Sequence, residues 1–343
     1  MRHQGNLNIA WKLSTAAIIY MAFAIYLYQP YLKNFERFQY LYLFNVCIAS
    51  IGSFILSRRW ISGFPGSFFT GALYGFGPFL FGLEKFHPVV GLLVAAIPWL
   101  FCPAAFFLKD KWKPISLLLA TLPFFAIVLF FQISSHYRLF AASTQAKLHL
   151  NEIYSLLAPL IAAKRRTTLI GFYHIPIAAL IMGLSMFIAA RRYTILSILV
   201  IGTILCFCDS INSSLEISPV IWLSISTLCC SLFIGIGFQG LSSTGFADRK
   251  WILTNAFVLG LLAIVTLLLA TKYFQVYFSL GDNYARLFTE AAKMYILGSA
   301  MLVIFFLFTY AKLRLHLLRE ILMFSILALD IFFGARFIID SYF

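Results

Sequence analysis

The chain has 343 residues, 62% of them hydrophobic and 11% charged, with a net charge of +14 and a mean hydropathy of +0.92. Soluble domains run nearer ~45–50% apolar and ~25% charged, so this composition excludes an ordinary soluble fold, and the short loops leave no room for a soluble catalytic domain. The basic residues fall in those loops, where they orient helices in a bilayer, and imply a lipid partner and no nucleic acid.

A helix needs about 20 mostly apolar residues to cross about 30 Å of hydrocarbon, whereas a barrel strand alternates over about ten. The long apolar runs therefore predict an all-α, polytopic membrane helix bundle of about eleven transmembrane helices. Their spans are 8–29, 38–57, 64–83, 88–108, 114–133, 168–190, 194–215, 219–240, 251–271, 290–311 and 319–340. The first resembles a secretory signal, with Arg2 and Lys12 before an apolar run that contains Ala22-Phe23-Ala24. Because the run stays apolar through Tyr28, it reads as an uncleaved helix.

The third span carries "YGFGP", with Gly75, Gly77 and Pro78, and the eighth carries "IGIGF", with Gly235 and Gly237. Five spans precede and five follow the segment 134–167, with one helix more at 319–340. Halves of an odd number of helices (1–133 and 168–311) would be antiparallel, the inverted-repeat plan of many secondary transporters, and both Gly-x-Gly pairs fall in the third helix of their half. Glycines and a proline free backbone carbonyls to bind an ion or substrate. The plainer reading is close helix packing, which also selects small residues.

The segment 134–167 links the halves and ends in Lys164-Arg165-Arg166. Its 14-residue apolar stretch, Leu150 to Ala163, is short for a span and suits an interfacial helix. With that stretch not crossing, the Lys and Arg bias of the short loops sets the N-terminus in the cytoplasm and the C-terminus outside.

Ionisable groups at membrane depth are costly, so each is a candidate site. In span 194–215 and just beyond it, Asp209, Asn212, Ser213 and Glu216 recur at i, i+3, i+4 and i+7. On one helix they share a face able to hold a cation or proton, the carboxylates giving charge and the amide and hydroxyl completing the shell; the plainer reading is a polar helix end exposed to water. Asp209 is 17 residues beyond Arg192, about 25 Å of helix, nearer the outer interface than the bilayer centre. Gln239 follows the second glycine pair, Asp330 lies mid-helix near the C-terminus, and Arg336 can pair with Asp340 at i+4. Lys293 can snorkel to the surface, and His174, at membrane depth before Pro176, reads as a structural histidine.

The six cysteines (Cys47, Cys102, Cys206, Cys208, Cys229, Cys230) lie in spans without Cys-x-x-Cys and read as packing residues. No metal or cofactor is implied. These features favour a permease of the plasma or bacterial inner membrane for a small, weakly polar or lipid-like substrate, because so few strongly polar residues line the spans. A non-catalytic subunit that scaffolds a membrane complex accounts for the same features. A membrane-embedded enzyme on a lipid-linked substrate, using Arg165, Arg166 and His136 or His149, lacks a recognisable acid, base or nucleophile arrangement.

Overall fold

In the computed structural model the described residues are 2–32, 40–86, 88–106, 113–137, 193–242, 249–276 and 281–310, with helical positions scattered between 321 and 340. Among them every regular element is helical: α1 (Arg2–Tyr28), α2 (Tyr40–Ser57), α3 (Phe64–Gly75), α4 (Pro78–Phe86), α5 (Pro88–Phe106), α6 (Lys113–Ala120), α7 (Leu122–His136), α8 (Tyr193–Phe207), α9 (Asp209–Ser214), a 3-10 turn (Pro219–Trp222), α10 (Leu223–Ser242), α11 (Arg249–Val276) and α12 (Gly281–Tyr310). Among the described residues, five stretches are long and apolar enough to cross a membrane: Ala10–Tyr28, Tyr40–Ser57, Val89–Phe106, Pro219–Gly240 and Ile252–Lys272. The chain is a helical membrane protein. The predicted span 168–190, the stretch 150–163 and Asp330 lie outside the described residues.

Three predicted spans are interrupted. Span 64–83 divides into α3 and α4 at Phe76-Gly77. Span 114–133 divides at Thr121, with Pro123 in the first turn of α7, where a missing N–H costs nothing. Span 194–215 breaks at Cys208, whose backbone (φ −85, ψ 81) leaves the helix.

Side-chain contacts fix the helix directions. From Cys229 to Gln239, α10 passes α3 from Tyr74 down to Ser62, so the two are antiparallel. Along α8 and α10, Thr203 meets Ser226 and Asn212 meets Trp222, again antiparallel. The C-terminal helical positions run parallel to α1: Phe324 stacks on Phe68, which receives the Tyr20 hydroxyl; Phe332 lies against Phe23 and Tyr26; Asp340 meets Tyr31. Helices α11 and α12 form an antiparallel hairpin, with the Ser299 hydroxyl donating 2.9 Å to the Ala256 carbonyl.

The bundle is centred on α10. Of its most apolar stretch 83% is buried, against 22% for α1, which is left largely exposed. Polar side chains cross between helices mostly to backbone oxygens: Tyr20 to Phe68 (2.6 Å), Tyr74 to Val94 (2.8 Å) and Trp99 to Ile48 (3.0 Å). Thr70, Thr203 and Thr266 return their hydroxyls to carbonyls of their own helix, which makes them tolerable among apolar neighbours.

Candidate functional site

The first glycine pair breaks its helix. α3 ends as the Phe76 N–H reaches the Ala72 carbonyl at 2.8 Å, and Pro78 has no N–H to give the Tyr74 carbonyl. Gly77 is required here, since a Cβ would stand 2.4 Å from the Leu73 oxygen. Gly75 lets α3 lie on α2, its Cβ position falling 2.7 Å from the Val46 oxygen and overlapping Ser50 Oγ.

The break redirects the chain. A straight helix would separate residues 75 and 84 by about 13 Å. Instead Gly75 abuts Val46 and Ser50 while Glu84 stands beside Asn45 on the same stretch of α2. Thus α4 runs across the bundle end and carries Glu84 inward, against Gly91 of α5.

Glu84 is 1% exposed, and neither carboxyl oxygen meets a hydrogen-bond donor in good geometry. The Asn45 amide is the polar group set against it, and Tyr28 and Cys47 are near enough to feel its charge. The space it fills exists because residue 91 is glycine: a Cβ there would lie 2.5 Å from Glu84 Cγ, 3.3 Å from its Oε1 and 2.9 Å from Asn45 Nδ2. Asn45 lies five residues into α2, about 7 Å below its start. The pocket is therefore beneath the end of the bundle that carries Tyr31.

The acidic face expected on the seventh predicted span does not form as one surface. The break at Cys208 and the end of α9 at Ser214 leave Glu216 outside the helix, at φ 51. Asn212 is buried and engaged on both sides, its amide donating 2.9 Å to the Leu205 carbonyl and its oxygen accepting 2.8 Å from Trp222 Nε1. It thereby shares the Leu205 carbonyl beside the break with the Cys208 N–H, which reaches it at 3.3 Å. Asp209 and Ser213 are exposed, Ser213 donating to the Ser210 carbonyl. Glu216 accepts from the Ser135 hydroxyl, and the Gln132 amide reaches the Leu215 carbonyl at 2.7 Å, so α7 holds this turn.

The second glycine pair does not break its helix: α10 is continuous through Gly235 and Gly237. Matched breaks are therefore absent, and the second pair follows the plainer reading, close helix packing. Gly235 instead marks the crossing with α3, where a Cβ would overlap Thr70 Oγ1 and lie 2.6 Å from the Gly66 oxygen. Gln239 clasps the α2–α3 turn. Its Oε1 accepts from the Ser62 N–H at 2.9 Å and its Nε2 donates to Ser62 Oγ at 2.7 Å, while Arg58 donates 2.6 Å to the Ser62 carbonyl.

Arg336 pairs with Asp340 at 2.9 Å, as its spacing predicts. Lys293 is exposed. All six cysteines are free, and no metal-holding group of side chains occurs among the described residues. His136 is exposed with its ring 5.0 Å from that of Tyr137, while His149, His174, Arg165 and Arg166 lie outside the described residues.

Glu84 was legible in the sequence as the one acid within "FLFGLEKF", a short apolar stretch after a Gly-Pro break; its position one residue past the predicted span 64–83, next to Lys85, makes it look like a loop residue. The arrangement defines a polytopic helical membrane protein with a buried carboxyl behind a broken helix. Comparison with protein-family models, curated proteins and solved structures finds no match to this chain.

Proposed function

We propose that the chain is a permease for a small, weakly polar or lipid-like substrate in a plasma or bacterial inner membrane, its N-terminus cytoplasmic and its C-terminus outside. The observation that carries this reading is Glu84, a carboxyl enclosed directly behind the α3–α4 break with only the neutral Asn45 amide set against it and no hydrogen bond in good geometry. A membrane protein keeps so costly a group where an ion or substrate pathway uses it. Broken helices are likewise tolerated where freed backbone lines a cavity or lies within protein.

The substrate class follows from what else is buried. Beside Glu84 the polar side chains enclosed in α2 and α3 are Asn45, Ser50, Ser53, Ser57, Ser67 and Thr70, an amide and hydroxyls without a second charge. Such a lining suits a molecule with few hydrogen-bonding groups. The exposed Leu, Ile and Phe of α1, α7 and α11 are ready partners for lipid tails.

The test is purified protein reconstituted alone into vesicles and offered radiolabelled glycerol, a monoacylglycerol and a fluorescent short-chain phospholipid. Movement of at least one above that in empty vesicles, and its loss in Glu84→Gln, is expected. Inactivity toward all, with stoichiometric membrane partners co-purifying from mild detergent, would favour the scaffold subunit instead.

A further inference from the structure

We infer that the Glu84 carboxyl is a reversible proton-binding site, enclosed by α1, α2, α4 and α5, and that the proton is the coupling ion of the permease. The coupling rests on the permease reading; the proton site does not.

Three observations carry the site. Neither oxygen meets a donor in good geometry, and the Asn45 amide set against them is neutral, so a bare carboxylate is poorly compensated, whereas a proton on either oxygen removes the charge at once. The groups that face it from neighbouring elements are Tyr28 of α1, with Tyr42 stacked on that ring, and Asn45 and Cys47 of α2. None is a cation, and α2, α5 and α10, which all pack near α4, contain no Lys, Arg or His. Helix α1 carries Lys12 about 24 Å of helix from Tyr28, and the cation nearest in sequence is Lys85, the residue after Glu84 in α4. Finally, no group of three His, Cys, Asp or Glu stands together among the described residues. One carboxyl and one amide fall well short of the six to eight oxygens that a hard cation such as calcium takes.

The step balances as carboxylate plus proton giving the neutral acid, with no other reactant. The enclosed pocket suits the neutral acid, so release of the proton requires water to reach Glu84. The joint at Phe76-Gly77-Pro78, where one helical hydrogen bond is missing by chemistry, lets α4 swing without unwinding α3. Protonation thus favours the enclosed arrangement and deprotonation an opened one.

The experiment is labelling of the full-length protein in detergent by dicyclohexylcarbodiimide, an apolar reagent that adds the O–H of a carboxylic acid across its C=N bond. Peptide mass spectrometry locates the adduct. Expected are modification at Glu84, none at that peptide in Glu84→Gln, a rate falling at least tenfold between about pH 6 and about pH 9, and no protection by sodium. Absence of label at Glu84 across that range, a rate independent of pH, or protection by sodium would each overturn the proton assignment. The wild-type pH profile stands even if the Gln variant folds poorly. Labelling at Glu84 without any substrate movement would keep the proton site and remove the permease.

Discussion

Gly66 and Gly235 meet backbone to backbone. A Cβ built on Gly66 lies 2.8 Å from the Gly235 oxygen, and one built on Gly235 lies 2.6 Å from the Gly66 oxygen. The contact is reciprocal, so neither residue has room to grow without parting α3 from α10, which belongs to the most buried of the five candidate spans. In a bilayer, where apolar burial gives little net drive between helices, such close approach is a main source of association.

Gly235→Val therefore should destabilise by about 1–3 kcal/mol or more, the range for overpacking. Thermal unfolding followed by fluorescence-detected size exclusion reads the loss. Gly260→Ala is the control: its Cβ would meet only Ser299 Oγ, at 3.7 Å, and the midpoint should hold.

Asn212 and Ser213 are adjacent and should behave oppositely. Asn212→Leu strips the partner from buried Trp222 Nε1, at about 1–3 kcal/mol for a polar group left unsatisfied, and leaves the Leu205 carbonyl only the Cys208 N–H at 3.3 Å. Ser213→Ala should be silent, since its hydroxyl is exposed and serves only its own turn. Equal losses in the two variants would contradict the structural role given to Asn212.

Gln239→Leu removes the clasp on the α2–α3 turn while keeping similar bulk. The Ser62 N–H and hydroxyl both lose it as partner. Proteolytic nicking after Arg58 or Arg59 should rise several-fold while global stability falls by about 1 kcal/mol per hydrogen bond removed. Limited trypsin digestion with N-terminal sequencing of the fragments distinguishes this local opening from general unfolding.

The link from Tyr31 to Asp340 carries a pH signature. The hydrogen bond to Asp340, first, and then burial and the negative charge of that carboxylate hold the Tyr31 phenol above its ordinary range, the nearby Arg336 opposing them. With the folded-state value raised, the contribution is complete below the unfolded tyrosine range and is lost as pH climbs through the raised value. Wild type and Tyr31→Phe should differ slightly near neutral pH, because the pair is exposed, and converge at strongly alkaline pH. A difference that grew with alkalinity would reverse the assignment.

Much of the architecture is legible in apolar run length, and the Gly75-Phe76-Gly77-Pro78 break is legible in residue chemistry, since proline cannot donate and glycine alone fits. The Arg336–Asp340 pair follows from i,i+4 spacing. What spacing does not contain is partnership between helices. Asn45 and Glu84 are 39 positions apart, and only the turn of α4 brings them together. Asn212 was legible as polar but not as a group that shares the carbonyl beside the Cys208 break, so a pattern at i, i+3, i+4 and i+7 misdescribed a helix that ends early. Gly235 and Gly75 read alike in sequence and differ because Pro78 follows one motif and Phe238 the other.

The directions of the helices have a consequence for crossing parity. Gln132 and Ser135, at the end of α7, meet Leu215 and Glu216 just past α9, so α7 and α8–α9 advance toward the same side. Tyr137 and Tyr193 therefore stand at opposite ends of the bundle, and so do the start of α1 and Asp340, which Tyr31 holds at the finish of α1. An odd number of passages is the expectation for the whole chain. A cytoplasm-active reporter fused at one terminus and a periplasm-active reporter at the other should both be live, and exchanging them should silence both.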